Sequence, residues 1–219
     1  MAEYFSLLVK YLPLLLKGLQ YTIIIAIGGI ILGTILGIIL CILSISKFSV
    51  LQKIANFYVT IVRGIPLMIL ALFLYFGVIK NALPVLTSAI IILGINASAF
   101  IAEIFRAGIQ AIDPGQMEAG RAVGLSFSVT MIKIVIPQAV KNILPTLGNE
   151  FIALVKETSV VSFVGAADLY VAFNYIGTNS YEFMVPYLVM ALIYIVIVLL
   201  ISLGIKLMER SLKKSDRRN

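Results

Sequence analysis

Charged residues are sparse along this chain, and the apolar runs between them are long. Gly18 to Ser46 passes 29 residues without a charge, Asn81 to Ala102 passes 22, and Phe183 to Ile205 passes 23. A helix rises about 1.5 Å per residue and the hydrocarbon core of a bilayer is about 30 Å thick, so each run can cross it. Two further apolar stretches, Asn56 to Ile79 and Gln138 to Thr158, carry polar residues yet keep the length of a span. The pattern predicts an all-α integral membrane protein with about five transmembrane helices in a single transmembrane domain over 1–219. The spans fall at roughly 18–46, 56–79, 81–107, 137–158 and 183–206. Ahead of them, residues 4–16 are apolar but interrupted by Lys10 and Pro13, which predicts a short interfacial helix.

Polar residues inside the spans are placed with regularity. Gly29, Gly33 and Gly37 make a small-residue ridge along the first span, suited to close helix packing within one subunit. Arg63-Gly64-Ile65-Pro66 interrupts the second; Pro66 lacks a donor and disfavours helix at Ile65, so a kink or unwound turn is expected there. Such irregular backbone is tolerated in lipid where protein covers it or a cavity adjoins it. On the third span Asn96, Glu103, Arg106 and Gln110 share a face, with Glu103 and Arg106 spaced to neutralise each other. On the fourth, Asn142, Asn149 and Lys156 recur every seven residues beside a row of Glu150 and Glu157. Residues 159–182 read as a long loop, partly helical or re-entrant, before the last span.

Composition narrows the class. The chain is 61% hydrophobic and 12% charged, with a mean hydropathy of +1.10, which excludes an ordinary soluble domain. One cysteine, Cys41, and no histidine leave no disulfide, no metal site and no near-neutral proton carrier to expect. No Gly-Lys pair occurs, so the chain has no P-loop; it also lacks H-E-x-x-H and G-x-S-x-G. It is not expected to be an enzyme by itself, and no catalytic residue is assigned. The net charge of +7 reflects topology rather than nucleic acid. Twelve basic residues fall on the side of the C-terminal tail, against Lys10, Lys17 and Lys80 on the other. That bias predicts the N-terminus outside and the C-terminus in the cytoplasm.

Between the third and fourth spans lies a polar, glycine-punctuated segment, 113–125. Asp113 suits a helix N-cap, Pro114 the first helical position, and Gln116 could complete a capping box. A helix from Gln116 would end at Gly124, too short and too polar to cross a membrane. On the predicted topology it sits in the cytoplasm as a docking knob, its small residues Ala119, Gly120 and Ala122 letting a partner approach closely.

Glu118-Ala119-Gly120, Gly124, Ile134 and Ile136-Pro137 carry the spacing of the EAA loop, and the segment resembles that of bacterial ABC importer permeases. Gly120 replaces the usual alanine and Ile136 the usual leucine. Residues 63–68 (RGIPLM), 93–126 and 137–159 are similar to the polar amino acid subfamily, and the resemblance runs from about 15 to 211. It implies a multi-pass subunit of the bacterial cytoplasmic membrane that moves polar amino acids, basic ones among them, by alternating access. It also implies a second permease subunit (identical or a close paralogue), a cytoplasmic ABC ATPase dimer holding ATP and Mg, and an extracytoplasmic solute-binding protein. Glu118, Ala119, Gly120, Arg121 and Gly124 would form the coupling helix that docks into the ATPase. For the substrate, Glu150 is the leading candidate, a carboxylate suited to an ammonium or guanidinium. Asn96 and Asn149 could bond the amino acid's ends, Arg63 its carboxylate, and Met68 could pack beside its stem. Two other readings compete: a stand-alone ion-coupled amino acid carrier, which would call for an inverted repeat not seen here, and a non-transporting scaffold that recruits a cytoplasmic partner.

Overall fold

The computed structural model describes residues 9–80 and 82–216, and the side chains of those up to Ser211. Residues 4–8 of the expected interfacial helix, Asn81, Arg217 and Arg218 lie outside the described residues. The described chain is helical, without strands. In order, it comprises α1 (Leu12–Ser44), α2 (Ser49–Gly64), α3 (Leu67–Leu72), α4 (Val85–Gln110), α5 (Pro114–Ala122), α6 (Phe127–Thr130), α7 (Ile136–Glu157), α8 (Leu169–Ser180) and α9 (Met184–Asp216). A π-helical turn, Phe73–Ile79, extends α3; another, Met131–Val135, joins α6 to α7; a 3₁₀ segment, Thr158–Val164, follows α7. Among the described residues, four helices are long and apolar enough to cross a membrane, or five counting the bent pair α2–α3 as one span.

Pro13 does not separate an interfacial helix from the first span. It sits in the first turn of α1, where its missing N–H would have had no partner anyway, so residues 12–16 belong to the span. Only a turn at Tyr11 parts them from helical residues 9 and 10. The break expected at Pro66 is present: Ile65 is extended (φ −96°, ψ 128°) and the chain turns by 109° between α2 and α3. At the far end of that hairpin Lys80 takes the left-handed conformation (φ 48°), and its N–H closes on the Tyr75 carbonyl at 2.8 Å.

The glycine ridge of α1 meets α4. A Cβ on Gly33 would stand 2.8 Å from the Ala97 Cβ, and one on Gly37 would stand 2.7 Å from Ile101 Cγ2. α4 reciprocates at Gly94, where a Cβ would press on Leu32 at 2.7 Å. Lipid tails are as apolar as leucine, so burial drives little association in a bilayer and close van der Waals fit has to do it. The opposite face of α1, with Ile24, Ile27, Ile31, Ile35 and Ile42, stays exposed, as a lipid-facing surface would be.

Residues 159–182 are ordered rather than an open loop. Asp168 caps α8, its Oδ1 accepting from Val171 N–H at 3.0 Å. The next N–H, of Leu169, donates to Thr22 Oγ1 of α1 at 3.0 Å. Leu169, Ala172, Phe173 and Ile176 then pack against Leu15 of α1. Asp168 lies in the link between spans, fully buried, and burial pushes its carboxyl up to about 6 despite the Val171 bond.

Two outcomes follow from this packing. Gly33→Val should destabilise the detergent-solubilised protein by about 1–3 kcal/mol, read as a fall in melting temperature, because the α1–α4 seam has no room for the added carbons. Asp168 binds its proton more tightly folded than unfolded. Its contribution is therefore greatest below about pH 4 and is lost as pH rises through about 6, by up to about 3 kcal/mol. Melting curves across that range should show the decline, and Asp168→Asn should abolish it.

Candidate functional site

Three elements converge on a polar hollow: the last turn of α2, the C-terminal half of α4, and α7. On α7, Asn142, Thr146, Asn149 and Glu150 recur at four-, seven- and eight-residue spacing and so share one face. The helix can lie close to its neighbours because glycines sit at the crossings. A Cβ on Gly148 would strike Ile205 of α9 at 2.7 Å, and Gly108 of α4 rests directly on Ile143. The polar face of α7, residues Phe100, Glu103 and Ala107 of α4, and Arg63 of α2 then line an open cavity of about 600 Å³.

Charge in the cavity is unevenly paired. Glu103 accepts two hydrogen bonds from Arg106, from Nε at 3.1 Å and from Nη2 at 2.6 Å, and Arg106 also donates to Gln110 at 3.3 Å. The neutralisation expected of that pair is therefore present. Arg63 has a looser place: its Nη1 is 3.7 Å from Glu103 Oε2, and its guanidinium lies 5.3 Å from the centre of the Phe100 ring. Glu150 makes no ion pair among the described residues, with Lys156 or any other base. The cavity thus presents a carboxylate and a guanidinium, both short of partners, around space for a small molecule.

Of the residues singled out from sequence, the fold brings Glu150, Asn149 and Arg63 together here. Asn96 is elsewhere in the wall: it is buried and donates from Nδ2 to Glu157 Oε2 at 3.3 Å, tying α4 to the end of α7. Met68, half-exposed on α3, is not among the residues lining this cavity. Phe100, Thr146 and Glu157 were not singled out. The first two lie one helical turn from Glu103 and Asn142, so extending each polar row by a turn would have found them. Glu157 stood in the row of Glu150, but its bond to Asn96 depends on the crossing of two spans.

The short polar helix is α5, and it departs from its expected capping. Asp113 Oδ1 accepts from Gly115 N–H at 2.8 Å, but Gln116 does not complete a capping box; its Oε1 accepts from Gln138 of α7 at 3.3 Å. Gly120 is buried against Thr130 of α6, so its small size serves the chain's own packing rather than an open docking face. Arg121 donates from Nη1 to the Leu125 carbonyl at 3.1 Å, closing the turn where Gly124 adopts φ +88°. Glu118, Ala119 and Arg121 are left exposed, with Val123 at 77%.

Membrane-length helices around a partly charged cavity, with a short helix held outside them, define a membrane transport permease. The chain belongs to the family described as binding-protein-dependent transport system inner membrane component, whose model matches residues 29–214. It is 37% identical over 215 residues to the arginine transport system permease protein ArtQ of Bacillus subtilis (strain 168), covering 97% of this chain and 98% of that one. Among solved structures it is similar to one described as the crystal structure of an amino acid ABC transporter with histidines. The TM-score is 0.88 and the identity 39%, over 93% of this chain and 96% of that one. It shares its fold with an inward-facing MetNI methionine ABC transporter chain, at TM-score 0.75 and 24% identity, over 94% of this chain and 96% of that one.

The Asn96–Glu157 bond carries its own test. Asn96→Leu leaves a largely buried carboxylate without its donor, which should cost about 1–3 kcal/mol in thermal melting. Asn96→Gln, able to restore the bond, should recover part of the loss.

Proposed function

We propose that this chain is the transmembrane subunit of an ATP-binding-cassette importer that carries polar L-amino acids, basic ones among them, across the bacterial cytoplasmic membrane. The observation that carries this reading is the presence of opposite charges on the wall of one cavity, Glu150 with no ion pair among the described residues and Arg63 held only loosely by Glu103 at 3.7 Å. Glu150 would take the ammonium or guanidinium, Arg63 the carboxylate, and Asn149 would hydrogen-bond beside them. Asn96 would act by holding Glu157, and Met68 by packing outside the cavity wall. Similarity to an arginine permease protein and to an amino acid transporter supports the same substrate class.

Two copies, or this chain and a close paralogue, would pair across the pathway. An extracytoplasmic solute-binding protein would deliver the amino acid, and a cytoplasmic ATPase dimer would bind ATP and Mg. With the N-terminus outside and the C-terminus inside, α5 faces the ATPase, where Glu118, Ala119, Arg121 and the turn at Gly124 meet it and Gly120 keeps the helix seated. The permease holds no motif for ATP, so its alternation between inward- and outward-facing forms needs binding energy that differs between them. Closure of the ATPase pair on ATP supplies it through α5.

The test is ATPase stimulation of the reconstituted complex against a panel of amino acids. Glu150→Gln should weaken stimulation by basic amino acids about 10- to 100-fold, the worth of one charge-assisted bond, and reorder the panel. An unchanged ranking would remove Glu150 from the site. Glu118→Trp should abolish uptake and copurification of the ATPase while the subunit stays in the membrane; normal uptake would remove the docking role of α5.

A further inference from the structure

A second cavity, of about 580 Å³, lies between α2 and α4. It shares Arg63, Phe100 and Glu103 with the Glu150 cavity, and adds Asn56 and Thr60 from α2 and Arg106 and Gln110 from α4. The two differ in their balance of charge: Glu150 lines only the first and Arg106 only the second. Glu103, the acidic residue common to both, has its two oxygens occupied by the Arg106 guanidinium. Arg63 stands 3.7 Å from that carboxylate, beyond hydrogen-bonding reach, and no hydrogen bond joins its guanidinium to another described residue. The second cavity therefore sets two guanidiniums against one carboxylate; Arg106 is spent on Glu103 and Gln110, and Arg63 keeps its hydrogen-bond donors unspent. Glu150 is not on its wall. An ammonium finds no free anion there, whereas a carboxylate finds a planar, forked donor whose face rests on Phe100 at 5.3 Å.

We propose that this second cavity is a carboxylate-binding site, taking the α-carboxylate of an amino acid that has left the Glu150 cavity, with Arg63 as the cationic wall that both sites share. The inference rests on the reading of the Glu150 cavity as the amino acid's first site. One guanidinium cannot make its full fork to two carboxylates at once, so occupancy of the second cavity withdraws Arg63 from the first. Amino acid accumulating on the side the second cavity faces would then slow reloading, a product inhibition built into the permease itself.

The experiment uses the complete complex with its ATPase partner in lipid nanodiscs, and two probes that split the zwitterion. N-acetylglycine carries a carboxylate and no ammonium; agmatine carries cations and no carboxylate. Binding of each is followed by ligand-detected magnetic resonance titration. Asn56→Asp, nearly isosteric, places a negative charge in the second cavity, and Thr60→Trp fills it. Both should weaken N-acetylglycine about tenfold or more; Thr60→Trp should leave agmatine unchanged, and Asn56→Asp should not weaken it, which also shows that the variants are folded. N-acetylglycine binding that is unaltered in both variants overturns the proposal. Glu150→Gln is the separate arm: it should weaken agmatine alone, and unchanged agmatine binding there would overturn the reading of the first cavity instead.

Discussion

The contact between α1 and α4 is the constraint on which the rest of the molecule depends. In a bilayer, helices gain little from hiding apolar surface, so the pair holds by fit, and the fit requires Gly33, Gly37 and Gly94 to have no side chains. One face of α4 is committed to that seam through Leu93, Ala97 and Ile101. The helical repeat of 3.6 residues then turns Phe100, Glu103 and Ala107 toward α2 and α7. Seam and cavity wall are two faces of one helix, so the packing that seats α4 also sets the depth at which its charged residues stand.

α7 does the same for the other wall. From Phe127 to Val164 the chain is nearly continuous helix, 38 residues carrying the support of α5 at one end and Glu150 well along its length. α5 rests on this rod through Gly120 against Thr130 and through the Gln116–Gln138 bond. These contacts fasten α5 to the element that lines the cavity across the turn at 123–126. The broken backbone elsewhere is kept where protein can satisfy it: the bend at Pro66 adjoins Arg63, whose guanidinium lies over the Phe100 ring of α4, 5.3 Å from its centre.

Charge around the cavity divides into two kinds. Arg106 and Glu103 satisfy each other within one helix and leave little attraction for a ligand. Arg63 and Glu150 come from different helices and make no ion pair with each other; Arg63 is exposed and only loosely held by Glu103, and Glu150 has no ion pair among the described residues, so each is receptive to an opposite charge. This difference, rather than the count of charged residues in the membrane, separates structural pairs from candidate ligand groups.

Much of this was legible in the residues themselves. Long apolar runs announced the membrane-length helices, because hydrocarbon thickness leaves little choice of length; Pro66 announced its bend, because proline removes a donor wherever it falls; the glycine ridge and the Glu103–Arg106 pair were visible as helical spacing. What the sequence did not contain was which helices cross, since in lipid that depends on the fit of surfaces far apart in the chain. The Asn96–Glu157 bond, the seat of Gly120 on Thr130, the diversion of Gln116 to Gln138, and the absence of Met68 from the cavity wall were all decided there. Local spacing fixes what a helix presents on each face; only the tertiary arrangement decides what that face meets.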